Sequence, residues 1–108
     1  MGSKSIVLIF ATLFLALSSV GAYLEPAQIA KGQQVYSEKQ CGSCHSISGA
    51  GGTTGPDLSR VGLKREADWL LKFLKNPKTV NQRAKMTPFE GSDQDLEALV
   101  AYLTTLQQ

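Results

Sequence analysis

Cys41-Gly42-Ser43-Cys44-His45 holds both cysteines and the single histidine of the 108-residue sequence. Thiols are nucleophiles once deprotonated, and imidazole is a common metal ligand. The spacing C-x-x-C-H is the attachment signature of a c-type haem. One turn of backbone directs both sulfurs toward one porphyrin edge, where they add to the two vinyl groups. The next residue, His45, brings its imidazole over the ring face as an axial ligand to iron. Other chemistries use these residues less completely. A structural zinc site takes about four ligands, whereas the chain has three Cys or His residues, two of them adjacent. A thioredoxin-like pair belongs in a βαβ context, and no convincing strand precedes Cys41. A plain Cys41–Cys44 disulfide leaves His45 without a role.

A second axial ligand has few sources. Beyond Met1, Met86 is the only methionine, and there is no second histidine. Met86 lies 41 residues after His45, in a stretch long enough to wrap to the opposite haem face, and Pro88 stiffens that stretch. A lone methionine is usually core filler; beside C-x-x-C-H it becomes the expected thioether ligand. A soft thioether favours ferrous iron, so His/Met ligation raises the reduction potential. Lysine is the weaker alternative.

The elements that must position these groups read as helical. Residues 23–40 form a helix by the spacing of Ile29, Gly32, Val35 and Tyr36, with Pro26 in its first turn. Gly32 in a helix interior costs up to about 1 kcal/mol against alanine, which points to close approach of another helix; an unimportant surface glycine is the alternative. Ser48 to Gly55 is a glycine-rich flexible loop leading to Pro56. Residues 66–75 form a second helix with Trp69, Leu70, Phe73 and Leu74 in one stripe, stopped by Asn76-Pro77. Trp69 either packs in the core or donates its indole N–H to a haem propionate. Residues 78–91 are largely loop. Residues 92–108 form a third helix, with Ser92 as N-cap and Leu96, Leu99, Val100, Leu103 and Leu106 on its apolar face. No segment reads as strand, so the expected class is all-α.

Residues 1–22 read as an export signal: Lys4, the apolar run Ile6 to Leu17, then Val20-Gly21-Ala22 for cleavage. The domain is then 23–108, and the expected location is periplasmic. An uncleaved anchor is the alternative, since 17 residues from Ile6 to Ala22 approach the length of a membrane span. A domain of about 86 residues buries a limited core and benefits from a covalent staple.

Loss of Lys4 leaves ten basic against nine acidic residues, a net charge of +1, which excludes a strongly basic nucleic-acid binder. The distribution is lopsided. Residues 60–85 carry eight basic residues against Glu66 and Asp68, net +6, and residues 90–97 carry Glu90, Asp93, Asp95 and Glu97, net −4. The basic segment either rings the haem edge and steers an acidic partner or is an ordinary solvated surface.

The ordered set of motifs resembles the small monohaem cytochromes c of class I. It comprises Gly32 and Tyr36, Cys41 to His45, Thr54-Gly55-Pro56-Asp57-Leu58, Asp68-Trp69-Leu70 with Asn76-Pro77, Lys85 to Phe89, and Leu99 to Leu103, and spans residues 24–107. The resemblance implies three main helices and loops wrapped around one covalent haem c per chain. Cys41 and Cys44 are then the thioether residues, His45 the proximal ligand and Met86 the distal one. The Pro56 carbonyl accepts the other imidazole N–H of His45, and Gly32 and Tyr36 meet Tyr102 where the first and last helices cross. Two positions depart from the family pattern: Thr87 separates Met86 from Pro88, and Asp57 stands where asparagine is frequent. The implied function is a monomeric one-electron carrier, not an enzyme, that docks on redox proteins such as membrane oxidoreductases or other cytochromes. A ligand-binding enzyme or sensor, and a fixed subunit of a membrane oxidoreductase, are the competing classes.

Overall fold

The computed structural model describes residues 20–108, with side chains from residue 25 onward. The expected signal segment therefore lies outside the described residues, apart from positions 20–22. Five helices follow in order: α1 (Val20–Glu38), α2 (Val61–Lys64), α3 (Ala67–Lys75), α4 (Pro77–Val80) and α5 (Asp93–Thr104). A 3-10 turn covers Cys41–Ser43, and a short antiparallel ladder pairs β1 (Ser46–Ile47) with β2 (Ala50–Gly51).

The core forms where α1 crosses α5. Leu96, Leu99, Val100 and Leu103 are buried on α5 and meet Val35 of α1. A Cβ on Gly32 would overlap the carbonyl oxygen of Ala98 and lie 2.7 Å from Tyr102 Cβ. The close helix approach expected at Gly32 is thus present, with Tyr36 and Tyr102 edge to face at 5.8 Å beside it. Leu70 and Leu74 of α3 join the same core. The Ser92 hydroxyl accepts the Asp95 N–H at 3.0 Å, and Asp93 and Asp95 occupy the first turn of α5, where the helix dipole favours negative charge.

Several expectations need correction. The fold is mostly helical, as expected, but the glycine-rich segment, read as flexible loop without strand, folds into a tight hairpin of two-residue strands. Its two central residues, Ser48 (φ 51°) and Gly49 (φ 82°), both have positive φ, the requirement of the turn that matches strand twist. Ser48-Gly49 was the legible signal for it. Pro26 lies inside α1 rather than in its first turn. The first helix ends at Glu38, and Gln40 turns left-handed (φ 57°) to launch the 3-10 turn. Pro77 stops α3 and also opens α4 as its first residue. The last helix ends at Thr104 rather than running to 108. The Thr104 and Thr105 hydroxyls donate to the Ala101 and Tyr102 carbonyls, and such side-chain bonds compete with a continuing helix. Residues beyond it fold back: Gly62 N–H donates to Leu106 O at 2.9 Å and Gln108 N–H to Ser59 O at 3.1 Å. No described helix is long and apolar enough to cross a membrane.

Candidate functional site

The C-x-x-C-H segment is wound tight by its own backbone. Cys41 O accepts the N–H groups of Cys44 at 3.3 Å and His45 at 3.0 Å. Ser43 donates both its N–H and its hydroxyl to Gln40 O, at 3.0 and 2.7 Å. Both cysteines are free thiols, Cys41 half-buried and Cys44 exposed. Burial pushes the Cys41 thiol above its ordinary pKa.

The following loop is laced onto this turn. Gly52 N–H donates to Gly42 O at 2.9 Å, Gly55 N–H to Cys44 O at 2.7 Å and Leu58 N–H to Ser46 O at 2.8 Å. Pro56 is thereby brought to His45, whose Nδ1 lies 2.8 Å from the Pro56 carbonyl oxygen. A carbonyl only accepts, so Nδ1 carries the proton and Nε2 presents its lone pair. A bond of this kind fixes the ring's orientation and would raise its basicity toward a metal. Asp57 accepts the Ser59 N–H at 2.7 Å and the Ser46 hydroxyl at 3.2 Å. Those bonds, Ser59's first, hold its carboxyl below the ordinary value, so it is ionised at neutral pH.

Gly55 leaves room for the imidazole. A Cβ there would sit 2.5 Å from His45 Cε1 and 2.7 Å from Nδ1. The backbone at Gly55 thus passes directly beside the flat face of the histidine. Gly55→Ala should displace the ring and stretch its bond to Pro56. The expected readout is a broadened, partly high-spin absorption spectrum in the purified haem-loaded protein. A spectrum identical to wild type would show that the loop absorbs the methyl group.

His45 and Pro56 line an apolar cleft of about 270 Å³. Leu70, Phe73 and Leu74 of α3, Val61 of α2 and Leu99 and Leu103 of α5 form much of its wall. Of the six residues singled out from the sequence, Cys41, His45, Pro56, Trp69 and Met86 line this cleft. Cys44 is exposed and stands outside the lining. Met86 arrives from the loop after α4, which is tied back by Phe89 N–H donating to Leu74 O at 2.8 Å. Trp69 stacks on Phe73, with centroids 4.9 Å apart and planes 8° apart, and the Arg65 guanidinium lies 4.2 Å from the Trp69 ring centroid. Arg65 and Lys64 also reach the cleft; their place there was not legible from a charge count. A second depression of about 310 Å³, lined by Asp68, Lys72, Lys75, Asp93 and Glu97 among others, holds neither thiol nor imidazole.

The residues fit a covalent haem. Two free thiols and an imidazole with its outer nitrogen already committed form the donor set. The cleft is walled by aliphatic and aromatic side chains, and Met86 joins its lining from a separate loop. The buried Tyr36 hydroxyl has no protein partner. A bare metal ion fits less well, because no three His, Cys, Asp or Glu side chains converge among the described residues.

Comparison with known proteins agrees with this geometry. The cytochrome c family profile matches residues 29–107. Cytochrome c oxidase subunit 2 of Alkalihalophilus pseudofirmus is 30% identical over 86 residues, which cover 71% of this chain and 25% of that protein. The chain thus spans about a quarter of that relative's length. The c-type cytochrome SorU from Sinorhizobium meliloti superposes with a TM-score of 0.59 at 26% identity, covering 75% of this chain and 92% of SorU. With the matched residues containing the C-x-x-C-H turn, the cleft, α5 and the second half of α1, this chain belongs to the cytochrome c family.

Proposed function

We propose that the protein is a soluble one-electron carrier with His45 and Met86 as axial ligands to a haem held by Cys41 and Cys44. The observation that carries this reading is the meeting of His45 and Met86 in one apolar cleft, with His45 Nδ1 held by Pro56. A bound haem supplies the reversible one-electron couple of its iron. The chain's own residues do the rest. Pro56 and Gly55 hold the imidazole at a fixed tilt, and the loop carrying Met86 is anchored to α3 through Phe89. Apolar side chains line the cleft around both residues. Two strong protein ligands would leave no vacant position for oxygen or peroxide on a bound haem, and no second histidine exists to move a proton there. This arrangement favours electron transfer over oxygen chemistry.

Export completes the proposal: residues 1–22 direct the chain to the periplasm and are removed, and residues 23–108 act there as a monomer. The similarity to a cytochrome c oxidase subunit supports a membrane oxidase as the class of electron acceptor. Lys64 and Arg65, part of the +6 segment, line the cleft, which supports docking of such a partner there. Raising ionic strength from about 10 to 500 mM should then slow the second-order reaction with an acidic partner by about tenfold or more. Stopped-flow mixing measures this, and a rate independent of salt would remove steering from the proposal.

The spectrum of the haem-loaded protein tests the reading as a whole. Sharp low-spin ferrous bands and a weak sulfur-to-iron band in the ferric form are expected. A high-spin spectrum with ready carbon monoxide binding would instead place the protein among ligand-binding enzymes or sensors.

A further inference from the structure

Tyr36 sits four residues after Gly32, on the turn of α1 that leads into the C-x-x-C-H segment. Its ring packs against the core and edge to face with Tyr102. Its Cε1 and Oη lie 3.7 and 4.0 Å from where a Cβ of Gly42 would stand, so the phenol covers the thiol-bearing turn. The same residue lines the cleft. Among the described residues its hydroxyl oxygen is the one buried side-chain nitrogen or oxygen without a hydrogen-bond partner.

A buried hydroxyl left unpaired is costly, and phenylalanine would keep the ring and remove the cost. Packing alone therefore does not account for tyrosine. Burial, then the neighbouring Cys41 and Tyr102, push the phenol up to about 12, so at neutral pH it is an intact O–H donor. Cys41 lines the same cleft, and although its sulfur makes no hydrogen bond with the phenol here, as a thioether it would have no proton of its own and would be a weak acceptor.

We propose that the Tyr36 hydroxyl donates a hydrogen bond toward the Cys41 sulfur when that sulfur carries haem, and that this donor raises the reduction potential. The inference rests on the reading of Cys41, Cys44 and His45 as the haem-holding set. The sign follows from electrostatics. A donor aimed at the haem periphery presents the positive end of its dipole, which stabilises the state with one more electron. Inside a cleft of low polarity the effect is not screened away.

The test is the midpoint potential of haem-loaded Tyr36→Phe, measured by spectroelectrochemistry beside wild type and Tyr102→Phe. At a fixed ambient potential near the midpoint, Tyr36→Phe should raise the ferric-to-ferrous ratio roughly threefold to tenfold, where tenfold corresponds to 59 mV for one electron. Tyr102→Phe should leave the ratio unchanged. Redox-difference infrared spectra of protein made with 13C-labelled tyrosine should show a phenol C–O band that shifts with iron oxidation state and vanishes in Tyr36→Phe. An unchanged potential together with the absence of such a band would overturn the proposal, reducing Tyr36 to a packing residue. Equal shifts in both variants would overturn it as well, pointing to loosened helix packing. Failure of the underlying reading shows separately: wild-type protein purified from a haem-attaching host would then lack covalent haem in an alkaline pyridine spectrum.

Discussion

Met86→Leu is expected to leave the protein folded while changing its iron from low-spin to high-spin. Leucine and methionine have similar volumes, and such exchanges usually cost less than about 1.5 kcal/mol. Met86 is half-buried and packs against the leucine core, so leucine should fill its place. What leucine lacks is the thioether sulfur. On the proposed ligation by His45 and Met86, a bound haem would then keep one strong protein ligand, His45, and could take up solvent or small ligands. The potential should fall, because the soft donor that favours ferrous iron is gone. The shift is expected on the order of hundreds of millivolts, within the span of about 0.8 V that axial ligands cover. Carbon monoxide should then bind the ferrous variant readily, though not the wild type. Absorption spectra, a redox titration and a carbon monoxide titration measure the three consequences. A variant that stays low-spin at the wild-type potential would show that another residue, such as a lysine, is the distal ligand.

Gly32→Ala should produce the largest loss of stability from a single methyl group. Two effects oppose each other. Alanine favours the helix by up to about 1 kcal/mol over glycine. Against this, the new Cβ would fall 2.6 Å from the carbonyl carbon of Ala98 and 2.7 Å from Tyr102 Cβ. Ala98 contributes backbone there, which moves only if α5 moves. Overpacking typically costs 1–3 kcal/mol and occasionally more, and a clash with backbone belongs at the upper end, so a net destabilisation of about 2 kcal/mol is expected after the helix gain. For a domain this size that lowers Tm by roughly 8–16 °C. Gln33→Ala, exposed on the same helix, should change stability by no more than about 0.5 kcal/mol. Thermal melts of the two haem-loaded variants decide the matter. A Gly32→Ala protein as stable as wild type would mean that the helices separate without loss. Because α5 also supplies Leu99 and Leu103 to the cleft, any separation should also perturb the absorption spectrum.

The chemistry was legible because it depends on residue type and short spacing. Two thiols and an imidazole within five residues admit few uses. The longer helices were legible because an apolar stripe at 3.6-residue spacing must face a core. Gly32 stood out because a glycine in a helix interior carries a cost that a close contact explains. The short elements escaped for the converse reason. Helices α2 and α4 have four residues each, too few to display a period. The ladder of Ser46–Ile47 with Ala50–Gly51 is held by a turn rather than by alternating side chains. The end of α5 was decided by two threonine hydroxyls turning back on the backbone, and the position of Pro26 by the helix starting earlier than a first-turn proline implies.

Only the tertiary structure brings together groups far apart in the chain. It sets the Pro56 carbonyl against His45 Nδ1, because loop hydrogen bonds between 52 and 58 and the C-x-x-C-H turn close that approach. It places Met86 and His45 in one cleft, lays Arg65 over Trp69, and leaves the Tyr36 hydroxyl buried without a partner. None of these follows from local spacing. Each depends on which faces of α1, α3 and α5 pack together, and that is decided by the whole core at once. The sequence by itself determined which atoms could hold a haem; the packing decided how those atoms meet and which further side chain faces them.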